Sequence, residues 1–193
     1  MTEVPLQCRC GKVRGRALEV SPKTVNRVVC YCRDCRALLR WLDRADLLDA
    51  AGGSDIVQLA RARVRFEEGM GEVRCMRLSD KGLHRFYAGC CNTPVGNTVP
   101  RVPFLGVARA LFATDDLDAR AGRPVRVQVR SATAPLEGAS DFAPRMWAHV
   151  SWLLLGWWVR GLGGEALIDP RTHASRTPVR VLTPDERARL ADP

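Results

Sequence analysis

Cysteines carry most of the chemistry available to this chain, and they are grouped. Cys8 and Cys10 stand in "CRCG", Cys30, Cys32 and Cys35 in "CYCRDC", and Cys90 and Cys91 in "AGCCNTP", which leaves only Cys75 of the 8 outside a cluster. Zinc accounts for such grouping, because it takes thiolates at tetrahedral geometry. Four ligands close a structural site, and three leave the open position typical of catalytic zinc. No single stretch supplies four ligands, so the fold must bring at least two stretches together. The clustered thiols suit one closed four-thiolate site and one open three-thiolate site. The rival reading of Cys32 and Cys35 is a C-x-x-C redox dithiol, which needs a βαβ setting that the pattern does not show.

A disulfide framework is the other use of clustered cysteines. The start, "MTEVPLQCRC", has no basic segment followed by an apolar one, so no secretory signal is read and the expected compartment is the reducing cytoplasm. Thiols stay reduced there, which favours metal over disulfides. Cys75 alternates with Val73 on an apparent strand face and is expected to be a small buried hydrophobe. His84, His149 and His173 are isolated, and each reads as a packing or surface residue.

The positioning elements are mostly strands. In "VRVQVR" (125–130) valines alternate with Arg126, Gln128 and Arg130, and in "RARVRF" (61–66) arginines alternate with Ala62, Val64 and Phe66, the period of half-buried strands. "EEGMGEVRCMRLS" suggests a hairpin turning near Gly69 to Gly71. Further strands are expected in "GKVRGRALEV", "TVNRVVC", "DIVQLA" and "PFLGVAR", and a short helix in "DCRALLRWLD". Composition shifts to small, turn-prone residues in "SATAPLEGAS" (131–140). Two segments are therefore expected: a mainly β zinc domain over 1–135 and a C-terminal helical extension over 136–193.

The extension's main feature is "SDFAPRMWAHVSWLLLGWWVRGLGG", a helix with Ser140 or Asp141 to cap it and Pro144 in its first turn. Its strongly apolar part, Val150 to Val159, falls well short of the roughly 20 residues needed to cross a bilayer, so no membrane span is expected. A helix apolar on most sides is normally buried, in this chain or at a homodimer contact. Thr183 and Pro184 mark the start of a short terminal helix.

With 193 residues, 46% of them hydrophobic and 26% charged, the chain is an ordinary globular one. Its formal net charge is +9, carried by arginine, since only Lys12, Lys23 and Lys81 are lysines. That balance favours anionic partners without choosing among them. No phosphate loop, dinucleotide fingerprint or nucleophile elbow is present, which argues against a nucleotide-driven enzyme. Aromatic residues do not interleave with the basic ones and no recognition helix is visible, so nucleic acid is not the expected partner.

"CRCGKVRG", then "CYCRDC", then "GLHRFYAGCCNTPVGN" together resemble the glutathione-dependent formaldehyde-activating enzyme family, also called GFA or centromere-protein-V-like, over residues 7–107. The resemblance implies a mainly β, β-tent-like zinc domain of short antiparallel strands. It implies two zinc ions: a structural one held by Cys8, Cys10 and Cys91, and a labile one at Cys30, Cys32 and Cys35 near the catalytic centre. The family's late R-x-F-C-x-x-C-G-T is altered here, with Ala88 at the first cysteine and Asn92 at the glycine. Cys90, His84 or a water is then the fourth structural ligand.

The function so implied is that of a carbon–sulfur lyase acting on the adduct of an aldehyde with glutathione or another small thiol. Glutathione is anionic, and arginine pairs with carboxylates, so Arg33 and Arg36 are candidate substrate-binding residues. The alternative is a non-enzymatic zinc module that binds nucleic acid or a protein partner.

Overall fold

The structure, a computed structural model, describes residues 3–137, 144–161 and 167–190. Strand β1 (Val4–Gln7) buries Val4 and Leu6 and exposes Pro5 and Gln7, while β2 (Arg14–Ala17) buries Gly15 and Ala17. The two pair antiparallel, Val4 opposite Ala17, and β5 (Val64–Glu68) joins β2 to complete a small sheet in the order β1-β2-β5. The remaining strands form a second sheet. They are β3 (Asn26–Cys30), β4 (Ser54–Ala60), β6 (Val73–Arg77), β7 (His84–Ala88), β8 (Thr93–Thr98), β9 (Phe104–Ala108), β10 (Val125–Val127) and β11 (Val179–Val181), in the order β10-β3-β4-β9-β8-β7-β6-β11. Its inner pairs are antiparallel, whereas β10 beside β3 and β11 beside β6 run parallel. The protein is mainly β, built of short antiparallel strands with small helices.

The main core fills the space between the sheets. Val4, Leu6, Ala17 and Val64 from the small sheet join Val57, Leu59, Val73, Phe86, Leu105 and Val107 from the large one, each Val, Leu or Phe contributing about 1.5–3 kcal/mol of gross burial free energy. The other face of the large sheet carries α1 (Arg33–Trp41), whose Ala37 and Leu38 pack with Met76, Leu78 and Leu182. Strand alternation divides residues between these layers. In β7, Phe86 lies in the main core while Tyr87 packs on the α1 side, edge-on to Trp41 at 5.3 Å. Cys75 is buried in the main core, as its alternation with Val73 suggests.

Three local expectations need correction. The turn at Gly69, with φ +74°, is no hairpin: β5 pairs with β2 and β6 with β7, so the turn carries the chain from one sheet to the other. The strand expected from Arg61 starts only at Val64, and Arg61 and Arg63 are buried in a 3-10 turn. There Arg61 donates to the Pro100 carbonyl and Arg63 pairs with Glu19 at 2.6 Å. In "VRVQVR" the strand stops at Val127, because Gln128 takes a left-handed conformation with φ +59° and starts a 3-10 turn.

Beyond residue 135 the described residues return to the sheets. Leu167 and Ile168 enter the main core, β11 extends the edge at β6, and Leu182 packs under α1. The terminal helix, α4 (Pro184–Ala188), opens with a full capping box between Thr183 and Glu186. The two remaining α-helices come earlier in the chain: α2 (Leu117–Ala121), which precedes β10, and the apolar helix α3 (Pro144–Val159). Ser140 and Asp141, expected to cap α3, lie outside the described residues.

Within the chain α3 is buried on one side only. Leu153 and Trp157 pack with Ala60 and Phe104, and His149 Nε2 lies 3.3 Å from the Val25 carbonyl oxygen. Trp152 and Trp158 are each 73% exposed, and Trp147, Leu155 and Val159 also face solvent. No helix among the described residues is long and apolar enough to cross a membrane.

Candidate metal centres

Two turns from different sheets meet at the first centre. The β1–β2 turn is a tight knuckle. Cys8 N–H donates to the Val13 carbonyl at 3.0 Å, Val13 N–H donates back to Cys8 Sγ at 3.2 Å, and Gly11 supplies the positive φ of +80° that the reversal needs. The β7–β8 turn folds as Cys91 and Asn92 both donate to the Ala88 carbonyl, at 3.2 and 2.8 Å. Asn92 takes φ +56°, a conformation asparagine tolerates. Arg9 N–H, donating to Thr93 Oγ1 at 3.0 Å, ties one turn to the other.

Cys8, Cys10, Cys90 and Cys91 thereby gather with every sulfur within 4.8 Å of the rest. A tetrahedron with metal–sulfur bonds of about 2.3 Å has edges of about 3.8 Å. The separations here straddle that value: 3.3 Å for Cys10–Cys90, 3.6 Å for Cys8–Cys10, 3.8 Å for Cys90–Cys91 and 4.0 Å for Cys8–Cys90. The four thiols can hold one metal ion, with Cys90 beside Cys91 because the backbone turns between them. His84 belongs to neither cysteine group. Burial pushes the Cys91 thiol up, but hydrogen bonds from the Thr93 hydroxyl and the backbone outweigh it and bring it down to about 6.

The second centre sits where β3 runs into α1. Cys30 ends the strand, Tyr31 is buried, and Cys32 is the N-cap of the helix, its Sγ accepting from Cys35 N–H at 3.3 Å. A loop fastens this junction from behind. The Tyr31 hydroxyl donates to Asp49 at 2.9 Å, and Asp49 also accepts from the Ala51 and Gly53 N–H groups. Gly52, at φ +80°, lies so close to Arg36 that a Cβ there would come within 2.7 Å of its Cδ.

The three sulfurs of Cys30, Cys32 and Cys35 also lie within 4.8 Å of one another, with Cys32 and Cys35 at 3.1 Å. Hydrogen bonds from Cys30 and Cys35 hold the Cys32 thiol far below its ordinary range, and the nearby Arg85 charge adds to this. The same hydrogen bonding pushes Cys30 up to about 11 and raises Cys35 as well. One thiolate at a helix N-terminus, held by two thiols, is a group ready to exchange its protons for a cation. No fourth cysteine, histidine or carboxylate joins it among the described residues.

The two arginines singled out from sequence differ in placement. Arg33 is exposed. Arg36 is 3% exposed and donates to the Tyr31 and Ser131 carbonyls, so its guanidinium fastens β3 and α1 to the 129–131 turn instead of facing a substrate. Sequence reading passed over Arg85. That residue lines a narrow slot beside Cys35, with about 20 Å³ of enclosed space, and nothing in "HRFYA" distinguishes it from the other arginines.

The fold and both groups define a mainly β protein with two cysteine sites able to hold metal ions. The chain belongs to the family described as "Family of unknown function (DUF6151)", whose model matches residues 1–142. That span contains both cysteine groups and β1 to β10, and it ends before α3. No curated protein matches the chain.

Proposed function

We propose that the protein holds two zinc ions, a structural one at Cys8, Cys10, Cys90 and Cys91 and a labile one at Cys30, Cys32 and Cys35. At the second centre we assign it a carbon–sulfur lyase-type activity on the adduct of an aldehyde with a small thiol such as glutathione. The observation that carries the reading is the contrast between a group of four sulfurs and a group of three beside a slot. The similarity of "CRCG" and "CYCRDC" to the glutathione-dependent formaldehyde-activating enzymes supports it. Zinc at such a centre would lower the pKa of a thiol and polarise a carbonyl oxygen.

The chain's own part is to place negative charge. The first turn of α1 and the Arg85 guanidinium both favour a thiolate at Cys32. In the lyase direction the carbon–sulfur bond of the adduct breaks, the hydroxyl oxygen becomes the carbonyl, and its proton ends on sulfur, with nothing oxidised or reduced. The test is zinc content per chain, then titration with glutathione and assay of adduct cleavage. Two zincs, one mobilised by glutathione, are expected. A protein with one zinc per chain, or one that neither yields zinc to glutathione nor cleaves an adduct, overturns the reading.

The solvent side of α3 favours a homodimer. Trp147, Trp152 and Trp158, more than half exposed, bring roughly 150–250 Å² each in total area. With Leu155 and Val159 they offer on the order of 600 Å² per chain, so a two-fold contact clears the roughly 1,000 Å² that a stable interface needs.

A further inference from the structure

Arg85 is a buried charge that the packing leaves incompletely paired. It is 2% exposed, and its Nε and Nη1 have no hydrogen-bond partner. Its Nη2 lies 3.6 Å from Asp34, a half-exposed carboxylate that Arg187 also approaches at 3.4 Å. Arg27 pairs with Asp55 and Asp118, and Arg36 binds two carbonyls; buried Arg44 and Arg61 each leave one nitrogen unbonded, where Arg85 leaves two. A buried guanidinium with donors unmade is costly to the fold, and it is a common mark of a place where a ligand completes the bonding.

The surroundings of Arg85 have the form of a ligand site. The slot it lines lies between α1, which contributes Cys35, Leu38 and Leu39, and the sheet, which contributes Ile56, Gly96, Asn97, Gly106 and Ala108. Apolar walls with a few convergent polar groups are typical of small-molecule sites. Cys35 belongs to the three-sulfur group, so a ligand on Arg85 is next to the proposed labile centre.

We propose that this slot binds a small carboxylate through Arg85. A planar guanidinium matches a carboxylate's two oxygens, and a slot with only about 20 Å³ of enclosed space suits the end of a molecule of few atoms, its remainder in the mouth, better than a tripeptide. The anion site stands on geometry alone. Its link to catalysis rests on the lyase reading: there, the carboxylate belongs to the aldehyde half of the adduct, making the carbonyl substrate a small oxo acid of the glyoxylate class.

The test is calorimetric titration of the zinc-loaded full chain with glyoxylate at constant ionic strength, beside Arg85→Met and, as a control on the exposed face of the small sheet, Arg65→Ala. The wild type should bind one equivalent, Arg65→Ala should match it, and Arg85→Met should bind about tenfold more weakly or worse with its zinc content unchanged. Binding unchanged in Arg85→Met overturns the proposal, as does a variant that loses zinc yet keeps glyoxylate, since Arg85 would then serve only as counter-charge to the thiolates. Should Arg85→Met not fold, wild-type protein decides through alkylation mapped by mass spectrometry. Iodoacetate should outpace iodoacetamide at Cys30, Cys32 or Cys35, with saturation and with competition by acetate, but not at the exposed Cys10. Equal rates at the three-cysteine group overturn the proposal. Glyoxylate binding without thiol–aldehyde turnover would sink the lyase reading and leave the anion site standing.

Discussion

The sulfurs of Cys10 and Cys90, 80 residues apart in the chain, lie 3.3 Å apart. Cys10 belongs to the knuckle of the small sheet and Cys90 to the turn at the end of β7 in the large one, so a metal held at this point would clamp the two sheets at one end of the core they enclose. On the two-zinc proposal, removing one of these cysteines would take away folding free energy directly, because a site assembled from two sheets has no counterpart in the unfolded chain.

Cys10→Ser is therefore expected to lose one zinc per chain and to unfold or precipitate at moderate temperature. A loss of several kcal/mol is comparable with the whole stability of an ordinary domain. Circular dichroism and metal analysis check it. A Cys10→Ser chain with wild-type melting and full zinc contradicts the clamp.

Cys32→Ser should behave differently, for a reason visible in the helix. Cys32 Sγ caps α1 by accepting from Cys35 N–H at 3.3 Å, and a serine hydroxyl is among the preferred caps. The variant should keep its fold, lose about one zinc per chain and lose any response to glutathione. Melting as low as that of Cys10→Ser would refute the division between a structural and a labile centre.

What the sequence discloses and what it hides follow from the range of the interactions. The ligand clusters are legible because knuckles place two sulfurs on one ion within a few residues, and the strands are legible by alternation. The Gly69 turn misleads because glycines report that the chain reverses, not which sheet receives it. In α3 nearly every residue is apolar, so no contrast marks Leu153 and Trp157 as the packed side. Arg85 is hidden because burial of one arginine among many depends on sheet order, which pairs β7 with β6 and β8 under α1.

Acid should weaken the anchorage of β3. Arg27, 8% exposed, joins Asp55 at 2.6 Å and Asp118 of α2, fixing the strand that ends at Cys30. Hydrogen bonding to Arg27 holds the Asp118 carboxyl below its ordinary 3.8. A depressed carboxylate contributes stability that is present above its unfolded pKa and lost as pH falls through the folded one. Below about pH 4 the wild type should therefore lose stability faster than Asp118→Asn, whereas near pH 7 the wild type should be the more stable. Chemical denaturation at both pH values measures this, and parallel pH profiles would exclude the effect.

The exposed side of α3 yields the last expectation. Trp147, Leu155 and Trp158 recur at spacings of eight and three residues, which places them along one side of the helix, with Trp152 and Val159 flanking them. Trp152 is 73% exposed, so replacing it removes little packing within one chain but puts a charge into the contact between copies. By sedimentation the wild type should be a dimer at micromolar concentration and Trp152→Glu a monomer with nearly unchanged melting. Trp157→Ala should do the reverse, costing about 3–5 kcal/mol of stability because that ring is packed against the body. A wild type that stays monomeric at high concentration, or that binds lipid vesicles as a monomer, would show that this face does not serve a second copy of the chain.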